Sequence, residues 1–431
     1  MEQGFTMDQA VAEAARCLLC HDAPCSTDCP AGTDPATFIR KLRFRNLKGA
    51  AALIKENNVL GGVSSVVCPT CSLCQAGCIA EGLDRPIRIG QIQRFLVEWA
   101  WEIGFQPLHA GEPTGKKIAV IGAGPAGLTC AAGLVQAGHA VTIFEAKAEP
   151  GGMLRYAIPE HRLSLEFVKR EIREIIDLGV EIRCGAAVAG PEGLDALFTQ
   201  GYSAVYVATG AGQGIALDAS KRPADGLLDA LHFLGLARDD RDAAAAMVNG
   251  KQVAVIGGGD TAMDAAVSAK LLGAADVYVL YRRSFTQMPA EARERDQALA
   301  AGVHLMLLTQ PVDYLADGDR LTGVKAVRTR LGEPDPSGRR RPVPIPDSEH
   351  VFIADLVIEA IGMKPRPDAG TMGVATDARG CVVNTGPGGM TARDGVFAGG
   401  DAVRGPSLVA KAIGDGKAAA AAIIAYLAGG K

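Results

Sequence analysis

Lys117-Ile118-Ala119-Val120-Ile121 is a short apolar run that stops at Gly122-Ala123-Gly124-Pro125-Ala126-Gly127. A run of this length, closed by glycine, reads as a buried strand, and the glycine group opens a helix that runs through Val135. The next strand, Ala140–Phe144, ends at Glu145, which completes a β-α-β unit. Each small residue has a task there. Gly122 makes the tight turn, Gly124 lets the backbone approach a pyrophosphate, and Gly127 allows the helix to pack closely on the strand. Pro125 and Ala126 lie in the same phosphate-facing turn, where the helix N-terminus favours negative charge. Glu145 is placed to accept hydrogen bonds from an adenosine ribose. Gly152, Met153 and Leu154, with Gly400 and Asp401 far downstream, suit the remainder of an extended flavin cofactor.

The same pattern restarts at Lys251–Ile256, followed by Gly257-Gly258-Gly259-Asp260-Thr261-Ala262, a helix over 261–272 and a strand over Asp276–Leu280. Ala262 replaces the third glycine and is still small. Tyr281-Arg282-Arg283 follows the second strand where the first copy has Glu145. Arginines at that point suit a 2′-phosphate through charge-assisted hydrogen bonds and point to NADPH, whereas an acid would favour NADH. The bland alternative is that Arg282 and Arg283 decorate a solvent-exposed strand end. Further elements are a helix over Leu163–Leu178 and strands at Ala204–Ala208, Leu356–Ala360 and Gly395–Ala398. A closing helix runs over Leu408–Leu427. The last strand and helix look like the end of the first module, so the second copy is expected as an insertion. Glu333–Asp347, rich in Pro and Arg, reads as an exposed hairpin or loop.

Upstream of both modules, eight cysteines fall within the first 78 residues. They run Cys17-x2-Cys20-x4-Cys25-x3-Cys29-Pro30 and Cys68-x5-Cys74-x3-Cys78, with Cys71 among them. Cys29-Pro30 resembles the point where bacterial-type ferredoxins send a ligand to their other cluster. Zinc is the competing reading, because Cys-x2-Cys also opens many zinc sites. Spacing alone does not assign each thiol to a group. Helices are expected at Met7–Leu19, over Phe38–Asn57 with a break near Asn46–Gly49, and at Ile87–Trp99. A linker follows over 105–115. The fold class is therefore α/β, with two Rossmann-like dinucleotide-binding domains, one inserted in the other, behind an N-terminal α-helical iron–sulfur domain. The expected boundaries are 1–110 for the helical domain, 111–237 and 364–431 for the FAD domain, and 238–363 for the NADPH domain.

At 431 residues with 48% apolar and 21% charged residues, the chain suits two or three globular domains. A net charge of −4 with dispersed basic residues gives no footprint for nucleic acid. No apolar run reaches the ~18 residues that a membrane span needs, and no apolar leader precedes the cysteines. Eleven cysteines without such a leader point to a reducing, cytoplasmic setting with thiols as metal ligands. No Cys-x2-Cys lies near either dinucleotide module, which speaks against a dithiol relay. Cys130, Cys184 and Cys381 read as core thiols, and Trp99 and Trp101 as packing anchors. No residue is expected in acid–base catalysis; the protein's part is orientation and electrostatics.

The wording Arg16-Cys17-Leu18-Leu19-Cys20-His21-Asp22-Ala23-Pro24-Cys25, with Cys29-Pro30 and the stretch from Asn57-Asn58 to Cys68-Pro69-Thr70, resembles the dihydropyrimidine dehydrogenase family, specifically its separate flavin-containing subunits. The likeness covers nearly the whole chain. It implies one 4Fe–4S cluster on Cys17, Cys20, Cys25 and Cys78, and a second on Cys29, Cys68 and Cys74 with Gln93 as an unusual fourth ligand. Cys71 falls where that family needs no ligand. The resemblance also implies FAD in the first module and NADPH in the second, with NADH used by some relatives. The implied partner is an FMN- and iron–sulfur-containing TIM-barrel subunit that reduces uracil and thymine in a hetero-oligomer. The alternatives within the wider family are a glutamate synthase small subunit and a general NADPH:ferredoxin-type oxidoreductase.

Overall fold

The structure is a computed structural model that describes residues 4–220, 222–336, 338–366 and 372–429. The chain divides into two compact units, one built from residues 1–155, 160–211 and 365–431, the other from 156–159 and 212–364.

In the first unit the N-terminal segment forms helices Met7–Ala15, Pro35–Arg43, Leu47–Asn57, Gly61–Val67 and Ile89–Glu102 around Phe38, Ile39, Leu42, Ile54, Ile92 and Leu96. Local signals set the starts. Thr6 and Gln9 form a capping box, Asp34 caps at the Thr37 N–H ahead of Pro35, and Asn46 caps at the Gly49 N–H. The first helix stops at Ala15, short of the expected Leu19. Leu19 and Asp22 adopt positive φ (55° and 49°), turning the chain so that the cysteine loop folds back on the helices. The long stretch over 38–57 is two helices, separated by Phe44–Asn46 with Arg45 at φ 60°.

Behind this head lies a parallel five-stranded sheet of order Val396–Ala398, Ala204–Val207, Lys117–Ile121, Ala140–Phe144, Glu181–Arg183. Its strands are β1 (Lys117–Ile121), β2 (Ala140–Phe144), β3 (Glu181–Arg183), β4 (Ala204–Val207) and β16 (Val396–Ala398). The pairing of β16 with β4 shows that the first module is finished by residues from the far end of the chain. Ile121 is in register with both Phe144 and Val207, so Gly122, Glu145 and Ala208 leave the sheet at one edge. That carboxyl edge is where open α/β sheets bind ligands.

The second unit carries a second parallel sheet, of order Leu227–Asp229, Leu356–Glu359, Gln252–Ile256, Asp276–Tyr281, His304–Leu307. Its strands are β6 (Leu227–Asp229), β7 (Gln252–Ile256), β8 (Asp276–Tyr281), β9 (His304–Leu307) and β14 (Leu356–Glu359). Two short strands, β5 (Gln213–Gly214) and β15 (Met363–Lys364), pair antiparallel where the chain enters and leaves. An antiparallel sheet is added by β10 (Thr309–Asp317), β11 (Arg320–Pro334), β12 (Arg340–Pro344) and β13 (His350–Ile353). Of this sheet only the stretch Glu333–Asp347 was expected, as an exposed hairpin or loop, and it holds the β11–β12 turn and β12. The rest is carried by β11, whose side chains alternate between buried Leu321, Val324, Ala326 and Thr329 and exposed Lys325, Arg328 and Arg330. No helix of the described residues is long and apolar enough to cross a membrane.

Candidate cofactor sites

The N-terminal thiols fall into two neighbourhoods, defined by which sulfurs act on which. Cys17 interacts with Cys20 and Cys78, and Cys25 with Cys78, Cys17 and Cys20. Cys68 interacts with Cys29 and Cys74, and Cys74 with Cys29. Cys74 and Cys25 also interact, so the two groups adjoin. Burial, reinforced by the neighbouring thiols, pushes Cys25 up to about 11 and Cys74 to about 12; Cys17 and Cys68 are raised for the same reasons. Thiols of this kind become thiolates only when a cation compensates them, which suits metal ligands. Backbone N–H groups donate to several sulfurs: Leu19 to Cys17, Ile87 to Cys78 at 3.4 Å, and Ala410 to Cys68. Among the described residues no three His, Cys, Asp or Glu side chains converge on a single ion. A cubane cluster, whose four protein ligands bind four different irons, asks for a wider set than zinc does.

Gln93 is buried, and its Nε2 donates to Gly61 O (2.6 Å) and Ser64 Oγ (3.1 Å). Both amide hydrogens are thereby engaged, leaving the carbonyl oxygen as the atom with ligand capacity. Gly61 and Ser64 belong to the helix Gly61–Val67, which ends at Cys68. Gln93 and Cys68 are thus tied to one short helix. Cys71 is exposed beside Ser72.

That helix is held by a charge network the sequence analysis passed over. Glu171 accepts the N–H groups of Gly62 (2.8 Å) and Val63 (2.7 Å), and Lys55 Nζ donates to Glu171, Glu174 and Val59 O. Lys55 is 2% exposed and Glu171 is fully buried. Burial would lower the Lys55 pKa; the two carboxylates outweigh it and raise the pKa above the ordinary lysine value. Trp101 completes the site, donating its indole N–H to Glu174 at 2.8 Å while packing edge-on against Phe167. The signal was present. Phe167, Val168, Ile172 and Ile175 define an apolar helix face, and Glu171 sits on it.

In the first dinucleotide module Gly122 has φ 106°, and a Cβ there would lie 2.5 Å from Ala208 O. Gly124 begins the helix Pro125–Gln136, and the Gly151-Gly152 loop crosses it so closely that a Cβ on Gly152 would meet Gly124 Cα at 2.8 Å. Only bare backbone fits this crossing, as an approaching pyrophosphate requires. Met153 and Leu154 open the short helix that follows. Glu145 is buried, and its two oxygens accept the N–H groups of Ala123 (2.8 Å) and Lys147 (2.9 Å), so the expected ribose acceptor also braces the glycine turn. Gly400, at φ 65°, donates its N–H to Asp415 Oδ2, and next to it the Asp401 Oδ1 is buried without a partner. Burial pushes the Asp401 carboxyl up to about 6. An orphaned acceptor beside a glycine cradle fits a bound cofactor with donor groups.

The flavin module's closing helix, Val409–Leu427, reaches the cysteine head. Besides the Ala410 N–H on Cys68, Lys417 Nζ donates to Ala31 O (2.9 Å) and Asn57 O (2.7 Å), and a Cβ on Gly414 would lie 2.3 Å from Pro30 O. Burial lowers the Lys417 pKa, partly offset by Cys29.

The second module surrounds a cavity of about 530 Å³ lined by Gly257, Gly258, Gly259, Thr261, Arg282 and Arg283 among others. Gly257 (φ 148°) would place a Cβ 2.3 Å from Ala360 O, repeating the Gly122 constraint. Asp260 begins the helix Asp260–Leu271, and its Oδ1 accepts the Glu291 N–H at 2.9 Å, bracing the loop. Arg282 is exposed, whereas Arg283 is buried and paired with Asp335 at 2.8 Å. Arg339 also lines the cavity, from the hairpin read as a surface feature. Of the three remaining thiols, Cys130 and Cys381 are buried, but Cys184 is exposed, because it follows the sheet-edge strand β3.

Two family models match successive parts of the chain. Residues 1–105 match the family described as dihydropyrimidine dehydrogenase domain II, 4Fe-4S cluster, and residues 116–416 match pyridine nucleotide-disulphide oxidoreductase. The NAD-dependent dihydropyrimidine dehydrogenase subunit PreT of Escherichia coli K12 is 39% identical over 99% of this chain and 96% of its own length. The Salmonella typhimurium PreT subunit is 38% identical over 98% and 96%. The Glutamate synthase (NADPH) small chain of E. coli K12 is 36% identical over 98% and 92%. Among solved structures, Mycobacterium tuberculosis FprA in complex with NADPH shares the fold with a TM-score of 0.61 at 18% identity, covering 74% of this chain and 85% of that one. The chain belongs to the family of NAD(P)H-dependent FAD and iron–sulfur oxidoreductase subunits that holds the PreT subunits of dihydropyrimidine dehydrogenase and the small chains of glutamate synthase.

Proposed function

We propose that this chain is the cytoplasmic electron-input subunit of a dihydropyrimidine dehydrogenase. It takes electrons from NADPH and passes them through FAD and two 4Fe–4S clusters to an FMN-containing partner that reduces uracil or thymine. When bound, these groups convert a two-electron hydride donor into single electrons that can cross between proteins.

The residues' own work is positional. Gly122, Gly124 and Gly127 leave room for the FAD pyrophosphate at a helix N-terminus, and Gly257 and Gly259 do the same for the nicotinamide coenzyme. Cys17, Cys20, Cys25 and Cys78 hold one cluster; Cys29, Cys68, Cys74 and the Gln93 oxygen hold the other. A neutral oxygen ligand in place of a thiolate changes the net charge of that cluster and hence its potential. The observation that carries the reading is the contact of one helix of the flavin module with the cysteine head, through the Ala410 N–H on Cys68 and Lys417 on Ala31 and Asn57.

The test is co-purification followed by assay. The isolated chain should reduce ferricyanide with NADPH but leave uracil untouched, and uracil reduction should appear when the FMN subunit is added. Uracil reduction by the isolated chain would end the proposed division of labour. The second reading, a glutamate synthase small chain, is supported by the 36% identity over 98% of this chain. Co-purification with a glutamine-dependent partner would establish it instead.

A further inference from the structure

The hairpin that joins β11 to β12 supplies a residue to the nucleotide cavity, and the way it is fastened separates the roles of three arginines. Two donor groups of Arg283 are engaged by the hairpin: Nε donates to Arg340 O at 2.9 Å and NH2 to Asp335 Oδ2 at 2.8 Å. Both acceptors belong to the hairpin tip. The tip is closed on itself by Asp335 N–H to Arg339 O (2.8 Å) and Arg339 N–H to Asp335 Oδ1 (3.3 Å). A third tie runs from Arg340 N–H to Gln287 Oε1 at 2.7 Å, in the loop after β8. The tip is thus pinned to the strand end that carries Arg282, and this fastening brings Arg339 to the wall of the cavity that Arg282 also lines. No hydrogen bond or ion pair engages the exposed Arg282 guanidinium among the described residues.

We propose that Arg339 is a ligand of the coenzyme 2′-phosphate together with Arg282, and that Arg283 is a positioning residue that fastens the hairpin. A phosphate monoester offers three terminal oxygens and can accept from two guanidinium forks at once. Arg283 is buried and neutralised by Asp335, so it offers that phosphate little net charge. This rests on the NADPH reading given above and deepens it, by drawing the specificity site from the inserted hairpin as well as from the strand end.

The probe is 2′,5′-ADP, which carries the 2′-phosphate without the nicotinamide, with 5′-AMP as the control lacking it. Binding of each to the full-length holoprotein is measured by calorimetry. Arg339→Gln should weaken 2′,5′-ADP about tenfold or more and leave 5′-AMP within about twofold. Arg283→Lys should weaken 2′,5′-ADP by loosening the hairpin, and the double variant Arg283→Lys/Arg339→Gln should be no weaker than Arg339→Gln alone. Unchanged 2′,5′-ADP binding in Arg339→Gln overturns the role of Arg339. A double variant whose losses multiply overturns the positioning role, because it makes Arg283 a direct ligand. If the unaltered protein does not distinguish 2′,5′-ADP from 5′-AMP, the NADPH reading itself is wrong and this inference falls with it.

Discussion

The two dinucleotide modules begin alike and end differently. Both place a glycine at strongly positive φ after the first strand, Gly122 and Gly257, where a Cβ would lie 2.5 and 2.3 Å from the carbonyl oxygens of Ala208 and Ala360, just past β4 and β14. Both then start a helix with no side chain capping it, from Gly124 and Gly259. They part at the end of the second strand. There the first module has Glu145, its carboxylate drawn inward by Ala123 and Lys147, and the second has Arg282 facing solvent with Arg283 turned to Asp335. On the proposed function, the glycine turn would fix where a pyrophosphate goes, and the strand end would set which nucleotide is accepted.

The harshest way to break this comparison is to put side chains into the turns. Gly122→Val should abolish flavin binding, read as loss of the flavin absorbance from purified protein. Gly257→Val should leave the flavin in place and cut its reduction by NADPH on the order of 100-fold. Loss of flavin in both variants would deny the separate assignments. Next in size, Lys55→Met leaves Glu171 buried without its cation and should cost about 3–5 kcal/mol in denaturant unfolding. A loss below about 1 kcal/mol would mean the network is solvated. Arg282→Ala should weaken NADPH roughly tenfold while sparing NADH. Equal weakening of both coenzymes would remove the strand-end argument.

The smallest effect concerns acid. Burial would raise the Glu359 carboxyl, but hydrogen bonds from Arg222, Tyr314 and the Leu217 N–H outweigh it and hold it below the ordinary glutamate value. A depressed carboxylate stabilises the fold above its unfolded value, and that stabilisation is lost as pH falls through the folded one. The thermal midpoint of the second unit should therefore drop below about pH 4, and Glu359→Gln should flatten that slope. An unchanged slope in that variant would assign the acid limb to other carboxylates.

Much of this was legible because it follows from short-range rules. The strands Lys117–Ile121 and Ala140–Phe144 coincide with their apolar runs, and the insertion of one module into the other is seen directly in the pairing of β16 with β4. What escaped depends on distant partners. Glu171 and Lys55 lie 116 residues apart and each looks like a flaw in an apolar helix face until they meet. The antiparallel sheet was hidden because β11 intersperses Arg and Lys among its buried residues, which reads as a polar loop. Arg339 could not be placed in the nucleotide cavity before the β11–β12 register was known. Cys184 was misjudged because a strand at the sheet edge leaves its end in solvent.

The central claim is that one chain carries electrons from a nicotinamide coenzyme to its cysteine head by way of a flavin. Anaerobic titration of the purified protein with NADPH, followed by optical and electron paramagnetic resonance spectra after iron, sulfide and flavin analysis, tests it most directly. The account predicts about eight irons and one FAD per chain, with flavin bleaching followed by paramagnetic signals from reduced clusters. Zinc in place of iron, or a bleached flavin beside clusters that never take up an electron, would contradict it.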